Sequence, residues 1–346
     1  MIAEKNNIKK YILIMILLLA GLLFSLFFCL SAGSASLSLS DVFGIITGNK
    51  ADNITDALSS IVLDIRLPRV LLAALFGGAL SLSGYLLQVF FQNPLAGPYV
   101  LGISSGAKLF VAILMIVLLS NGSVMSSGMS VIAAFLGSLL SMGVVLLLSL
   151  KVRTMSILII CGVMIGYICS AITDFIVTFA SDSDIVNLHN WSQGSFSGLT
   201  SENVILSAIL IFGSFISVLL LSKPIGAFSL GETYAKSVGV NIKLLRFFLI
   251  IFSSLLSAVV TAFAGPVSFV GIAVPHLARL IVRTMKPLVM IPVSFLLGAI
   301  VTLFCDPIAR CAFSPTEVSV SSVTAVALVP IVIILLLKGK GARYER

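Results

Sequence analysis

The sequence predicts an all-α polytopic membrane protein: ten transmembrane helices in a single transmembrane domain over residues 1–346, both ends cytoplasmic. Three observations carry this. Hydrophobic residues make up 59% of the chain and charged residues 10%, with a mean hydropathy of +1.20. A water-soluble globule needs more charge than that on its surface. Apolar runs near the length that crosses a bilayer, about 20 residues, recur along the whole chain. Finally, charge divides between the gaps. With the N-terminus inside, Lys9, Lys10, Lys151, Lys223, Lys243, Arg246, Lys286 and Lys338 fall on the cytoplasmic side, and Asp41, Asp56, Asp182, Asp184, Glu202 and Glu317 fall outside. Basic residues gather in short cytoplasmic loops, so this asymmetry supports the threading. It also explains the net charge of +8 by contact with membrane lipid, with no nucleic acid as partner.

The first apolar run, Tyr11 to Leu30, precedes a small-residue stretch that imitates a signal-peptide cleavage site. It is too long for a signal h-region of about 7 to 15 residues and is expected to remain as the first helix. An external loop over 31–66 follows, then spans near 67–90, 98–119, 129–150, 155–180 and 203–222. After a cytoplasmic loop over 223–243 come spans near 244–264, 267–282, 288–305 and 319–337, with a last external loop over 306–318. Cys29, Cys161, Cys169, Cys305 and Cys311 form no paired or His-flanked pattern, so neither a metal site nor a disulfide framework is expected.

Several spans are interrupted. Asn93, Pro94, Gly97 and Pro98 break the chain after the second span, and Gly265 with Pro266 break it after the seventh. Ala96-Gly97-Pro98 leading to Gly102-Ile103 resembles Ala264-Gly265-Pro266 leading to Gly271-Ile272, and the threading puts the two breaks on opposite sides, as in an inverted repeat. Irregular backbone at membrane depth must be buried in protein or line a water-filled cavity, which favours a transport bundle over an anchor. In the fifth span Gly162, Gly166, Ser170, Asp174 and Thr178 recur every fourth residue. Such a stripe is either a close helix contact or the wall of an aqueous path, and the carboxylate in it points to the path. The stripes Ala73, Gly77, Ser81 and Ala133, Gly137, Ser141 read as packing.

The cytoplasmic segment from Lys223 to Arg246 is the most polar stretch between two long apolar runs. Ser229 and Glu232 have the spacing of a capping box, and Gly239 is placed to stop the helix they would start. Roughly two turns fit between them, too few to stand alone in water, so the element requires packing. Leu230, Tyr234 and Val238 share one face, with Gly231 and Ala235 as a strip of small residues beside them. The helix either rests on lipid headgroups or docks a cytoplasmic partner. No phosphate loop and no nucleophile, acid–base or metal constellation occurs, so no catalytic residue is expected.

Arg66-Leu-Pro-Arg69, Asn93-Pro-Leu-Ala96, Leu101 to Gly106, Leu230-Gly-Glu232 with Gly239, and Gly265-Pro266 through Phe269-Val-Gly271 to Pro275-His276-Leu-Ala-Arg279 together resemble the FecCD-type permeases of bacterial ABC importers for iron-siderophore, haem or cobalamin. The resemblance runs nearly end to end. It implies a cobalamin-importer-like fold in the bacterial cytoplasmic membrane, and a pair of permeases, identical or paralogous. Two cytoplasmic ATPases would hold ATP and Mg, this chain would hold no cofactor, and an extracytoplasmic binding protein would deliver the cargo, with an iron-siderophore expected first. The same resemblance assigns ATPase coupling to Ser229, Leu230, Gly231, Glu232, Ala235 and Gly239. It assigns binding-protein docking to Arg66, Arg69 and Arg310, which could instead hold lipid phosphates or pair with Asp64 and Asp306. A cytoplasmic gate is implied at Thr154, Met155 and Ser156, although Met155 departs from the small hydroxyl residue of that pattern. An ion-coupled secondary transporter is the remaining alternative, disfavoured because few ionisable groups lie at depth.

Overall fold

The computed structural model describes residues 2–33, 37–48, 55–120, 127–152, 155–314 and 316–344, and among them there is no strand. The elements are α1 (Ile2–Ser31), α2 (Leu39–Thr47), α3 (Asp56–Ser60), a π-helical turn (Ile61–Arg66), α4 (Leu67–Phe91), a 3₁₀ turn (Pro98–Leu101), α5 (Ile103–Ser120), α6 (Ser127–Lys151) and α7 (Met155–Val177). They continue with α8 (Asp182–Ser192), α9 (Ser201–Leu220), α10 (Ser222–Ser229), α11 (Glu232–Ser237), α12 (Ile242–Ala264), α13 (Val270–Val282), α14 (Pro287–Cys311) and α15 (Val320–Tyr344). Among the described residues, seven helices are long and apolar enough to cross a membrane, and three shorter apolar helices lie at Ile103–Met115, Val270–Val282 and Val320–Ile334.

Helix α4 is the axis of the molecule. It is apolar or small on every side, the pattern of a helix wrapped by others, and it packs on α14, α12, α13 and α9. Glycine sets the approach. A Cβ on Gly77 would run into Thr302 and the Gly298 carbonyl, and one on Gly84 would overlap the Gly271 carbonyl. The expected packing stripe at Ala73, Gly77 and Ser81 therefore faces α14, and Gly137 with Ser141 faces Gly106 on α5 in the same manner. Hydroxyls close these contacts with buried hydrogen bonds: Thr302 Oγ1 donates to the Ala73 carbonyl at 2.8 Å and Ser83 Oγ to that of Ser253 at 2.7 Å.

The two chain breaks pack against each other. They converge: Pro98 Cδ would stand 2.8 Å from a Cβ on Gly271, and the Val267 amide donates to the Tyr99 hydroxyl at 2.8 Å. Each break thus supplies the protein surroundings that irregular backbone needs at depth, and Ala96, Gly97, Gly265 and Val267 are all buried. Gly265 has φ 70 and Phe269 φ 66, so the second break also holds a bulky residue in the left-handed region.

Element ends also differ from expectation. The second span does not start near residue 67; helix continues from Asp56 through the π turn to Phe91. The region 31–66 contains α2, capped by Ser38 and Asp41 in a reciprocal capping box, and α3. The fifth span ends at Val177, and α8 follows as a separate short helix. Residues 306–311 belong to α14, so the last external loop is shorter than expected.

Candidate functional site

Two short helices, α10 and α11, occupy the region where one capped helix was expected. Ser229 is not a cap: it closes α10, and its hydroxyl donates back to the Gly226 carbonyl at 2.8 Å. Gly231 is the N-cap of α11 at φ 123, a conformation that breaks the helix between Ser229 and Glu232. The Glu232 carboxylate does not reach the cap amide, because two cations compete for it: Lys236 Nζ at 2.9 Å and Arg246 at 2.7 Å. The Lys236 contact holds the Glu232 carboxyl below the usual carboxylate range, against partial burial and with help from the Arg246 charge. Gly239 stops α11 as expected, at φ 84, with the Val240 amide returning to the Ala235 carbonyl at 3.0 Å.

Leu230, Tyr234 and Val238 do share a face. All three are exposed and, with Ile8 and Tyr11 of α1 and Leu288 of α14, they line a cavity of about 580 Å³. Ala235 does not belong to an outer small-residue strip, since it is fully buried against its own chain, whereas a Cβ on Gly231 would meet nothing. The result is an apolar platform tied to the transmembrane bundle through the Glu232–Arg246 ion pair to α12.

At the opposite end of α4 the three arginines are not a free exposed set. Arg66 is buried and donates to the Leu30 carbonyl at 2.9 Å. Arg69 reaches Asp306 at 2.8 Å and Glu317 at 2.5 Å, with side-chain exposures of 8%, 0% and 32% respectively. Arg310 pairs with Asp306 at 3.0 Å and donates to the Cys29 carbonyl at 3.0 Å. Asp306 therefore takes two guanidinium groups, and the Cys29 thiol donates to it at 3.5 Å. Arg69 and Arg310 adopt the pairing with Asp306 that was one of the alternatives open in the sequence, whereas Arg66 is held by the Leu30 carbonyl. The reason is burial: ions withdrawn from water require partners, and carboxylates of the same chain are at hand. Asp306 was legible as a candidate partner of the arginines; its contact with Cys29 and the second carboxylate on Arg69, Glu317, were not.

The stripe on α7 divides. Gly162 and Gly166 lie against Gly102, close enough that a Cβ on Gly102 would be 3.0 Å from the Gly166 nitrogen, so this half is helix packing. Ser170, Asp174 and Thr178 are exposed, and Ser170 donates to Ser105 Oγ at 3.5 Å. Of the gate residues, Thr154 and the side chain of Met155 lie outside the described residues, and Ser156 is exposed at the start of α7.

The chain matches the family model described as the FecCD transport family over residues 18–338. It is 36% identical over 277 residues to the vitamin B12 import system permease protein BtuC of Klebsiella pneumoniae subsp. pneumoniae, covering 80% of this chain and 82% of that protein. The corresponding protein of Salmonella typhi is also 36% identical, with 80% and 83% covered. Among solved structures, a chain described as an inward-facing conformation of a metal-chelate type ABC transporter superposes with a TM-score of 0.82 at 27% identity, covering 94% of this chain and 99% of the other. A match over nearly the whole length, joined to an α-helical bundle with many membrane-crossing helices, identifies a multi-pass permease of the bacterial inner membrane, of the ABC importer type. The chain belongs to the FecCD transport family.

Proposed function

We propose that this chain is the membrane-spanning subunit through which an ABC importer moves a metal chelate, with cobalamin the first cargo to test. The cargo names of its relatives favour a corrinoid over the iron-siderophore expected from the sequence. The carrying observation is the platform of Leu230, Tyr234 and Val238, an exposed apolar face on a short element bound to α12 by a charged contact. Such a face suits an ATPase, which would hold ATP and Mg, and the ion pair would pass its movement to the bundle. The seven long and three shorter apolar helices would supply ten spans with both ends cytoplasmic. Helix α7 and the turn that follows it expose Tyr167, Phe175 and Phe179 beside Ser170, Asp174 and Thr178. These surfaces suit a second permease enclosing a path between the two subunits, with a gate near residues 154–156. Arg69 is the docking group best placed for a binding protein, because a partner carboxylate could replace the one-third-exposed Glu317.

The test is uptake of radiolabelled cobalamin and of a ferric siderophore into proteoliposomes holding the permease, its ATPase and its binding protein. ATP-dependent accumulation of one chelate is expected, and Leu230→Glu should abolish it together with ATPase co-purification. Accumulation driven by an ion gradient without the ATPase would overturn the assignment.

A further inference from the structure

A second cavity, of about 650 Å³, opens between the end of α6, the start of α12 and α11, and its chemistry differs from that of the platform. Lys151, Lys243 and Arg246 line it, with Glu232 as the opposing carboxylate. Glu232 is already bound by Lys236 and Arg246, and neither Lys151 nor Lys243 has an ion-pair partner among the described residues. Arg246 Nε is buried without a hydrogen-bond partner. Lys243 and Arg246 stand in the first two turns of α12, a helix of 23 residues, where the free amides already favour an anion and a cation is unfavourable. Three sources of positive potential thus meet with one occupied carboxylate to balance them.

The polarity is graded along the helices. Leu146 lies five residues, about 7.5 Å, deeper in α6 than Lys151, and Phe247 lies about 6 Å deeper in α12 than Lys243. A soluble anion needs only the cations, whereas a phospholipid needs cations at headgroup level above an apolar floor. We infer that this cavity is a binding site for the phosphate headgroup of an anionic phospholipid, held by Lys151, Lys243 and Arg246 with its chains on Leu146 and Phe247. Its place beside Glu232 and Arg246 puts the lipid against the contact that ties α11 to α12.

The full chain in nanodiscs is labelled with an amine-reactive reagent, and rates are read at each lysine by mass spectrometry. Nanodiscs of phosphatidylglycerol are compared with phosphatidylcholine, and with phosphatidylcholine plus millimolar inorganic phosphate. Phosphatidylglycerol should slow Lys151 and Lys243 by about tenfold, while Lys223 and Lys286, which line the other cavity, change by less than about twofold. Lys151→Gln should cut the protection of Lys243 about fivefold, since each cation near an anionic surface contributes separately. Equal slowing at all four lysines would reduce the effect to surface potential and overturn the site. Protection by inorganic phosphate equal to that by phosphatidylglycerol would also overturn it, because the ligand would then be a soluble phosphate.

Discussion

Asp306 accepts from Arg69, Arg310 and Cys29 while fully buried, and removing it leaves Arg310 without a carboxylate and Arg69 with Glu317 alone. Breaking a buried pair costs about 3 to 5 kcal/mol, whereas an exposed one contributes less than about 1. Asp306→Ala is therefore expected to lower stability by about 3 kcal/mol or more. Glu317→Gln, at a position one-third exposed, should stay near 1 kcal/mol. Thermal unfolding of the detergent-solubilised variants checks both, and equal losses would show that Glu317 is as integral as Asp306. Glu232 offers a second residue-scale test. Its folded carboxyl titrates below its ordinary value, so its contribution is complete above that value and is lost as pH falls through the lowered folded value. Protection factors of the α11 amides, taken relative to the unstructured chain at the same pH, should fall on acidification across that window and become insensitive to pH in Glu232→Gln.

Among elements, α4 was legible as a span but not as the axis, because hydropathy reports that a segment is apolar and not how many neighbours surround it. The glycines carry that information. Gly84 meets the Gly271 carbonyl, while Gly213 on α9 has open space. Gly84→Val should abolish stable assembly, exceeding the roughly 1 to 3 kcal/mol typical of overpacking, and Gly213→Val should leave folding intact. Monodispersity of the two proteins in size-exclusion chromatography separates them. The α10–α11 element shows the opposite error of inference. Ser229 and Glu232 had capping-box spacing, yet Gly231 takes φ 123 and the carboxylate prefers Lys236 and Arg246. Any side chain at Gly231 is strained, so Gly231→Trp acts through the backbone as well as by bulk.

For the whole molecule, the exposed half of the α7 stripe has a direct test. Cysteines at Ser170 and Thr178, with native cysteines replaced, should react with a water-soluble thiol reagent at rates that depend on the transport state. Cysteine at Gly162 should remain inert, since that position is buried near Gly102. Uniform reactivity of all three would mean that α7 is not packed as described.

Composition, apolar run length and the placement of basic residues determined by themselves that this chain is a multi-pass helical membrane protein, and the linear motifs determined its family and with it the permease reading. These are properties of neighbouring residues or of totals, so they survive without knowledge of the fold. The chain breaks were equally visible, as Pro and Gly in apolar surroundings, but their convergence at Pro98 and Gly271 was not. The arginines were found and pairing with Asp306 stood among the alternatives, but the Glu317 contact of Arg69 was missed. Arg69 and Asp306 are 237 positions apart, and Arg69 and Glu317 are 248 apart. Only the tertiary structure decided which carboxylate each buried cation would meet, because the cost of an unpaired ion in low dielectric is settled by whatever the packing brings within about 3 Å.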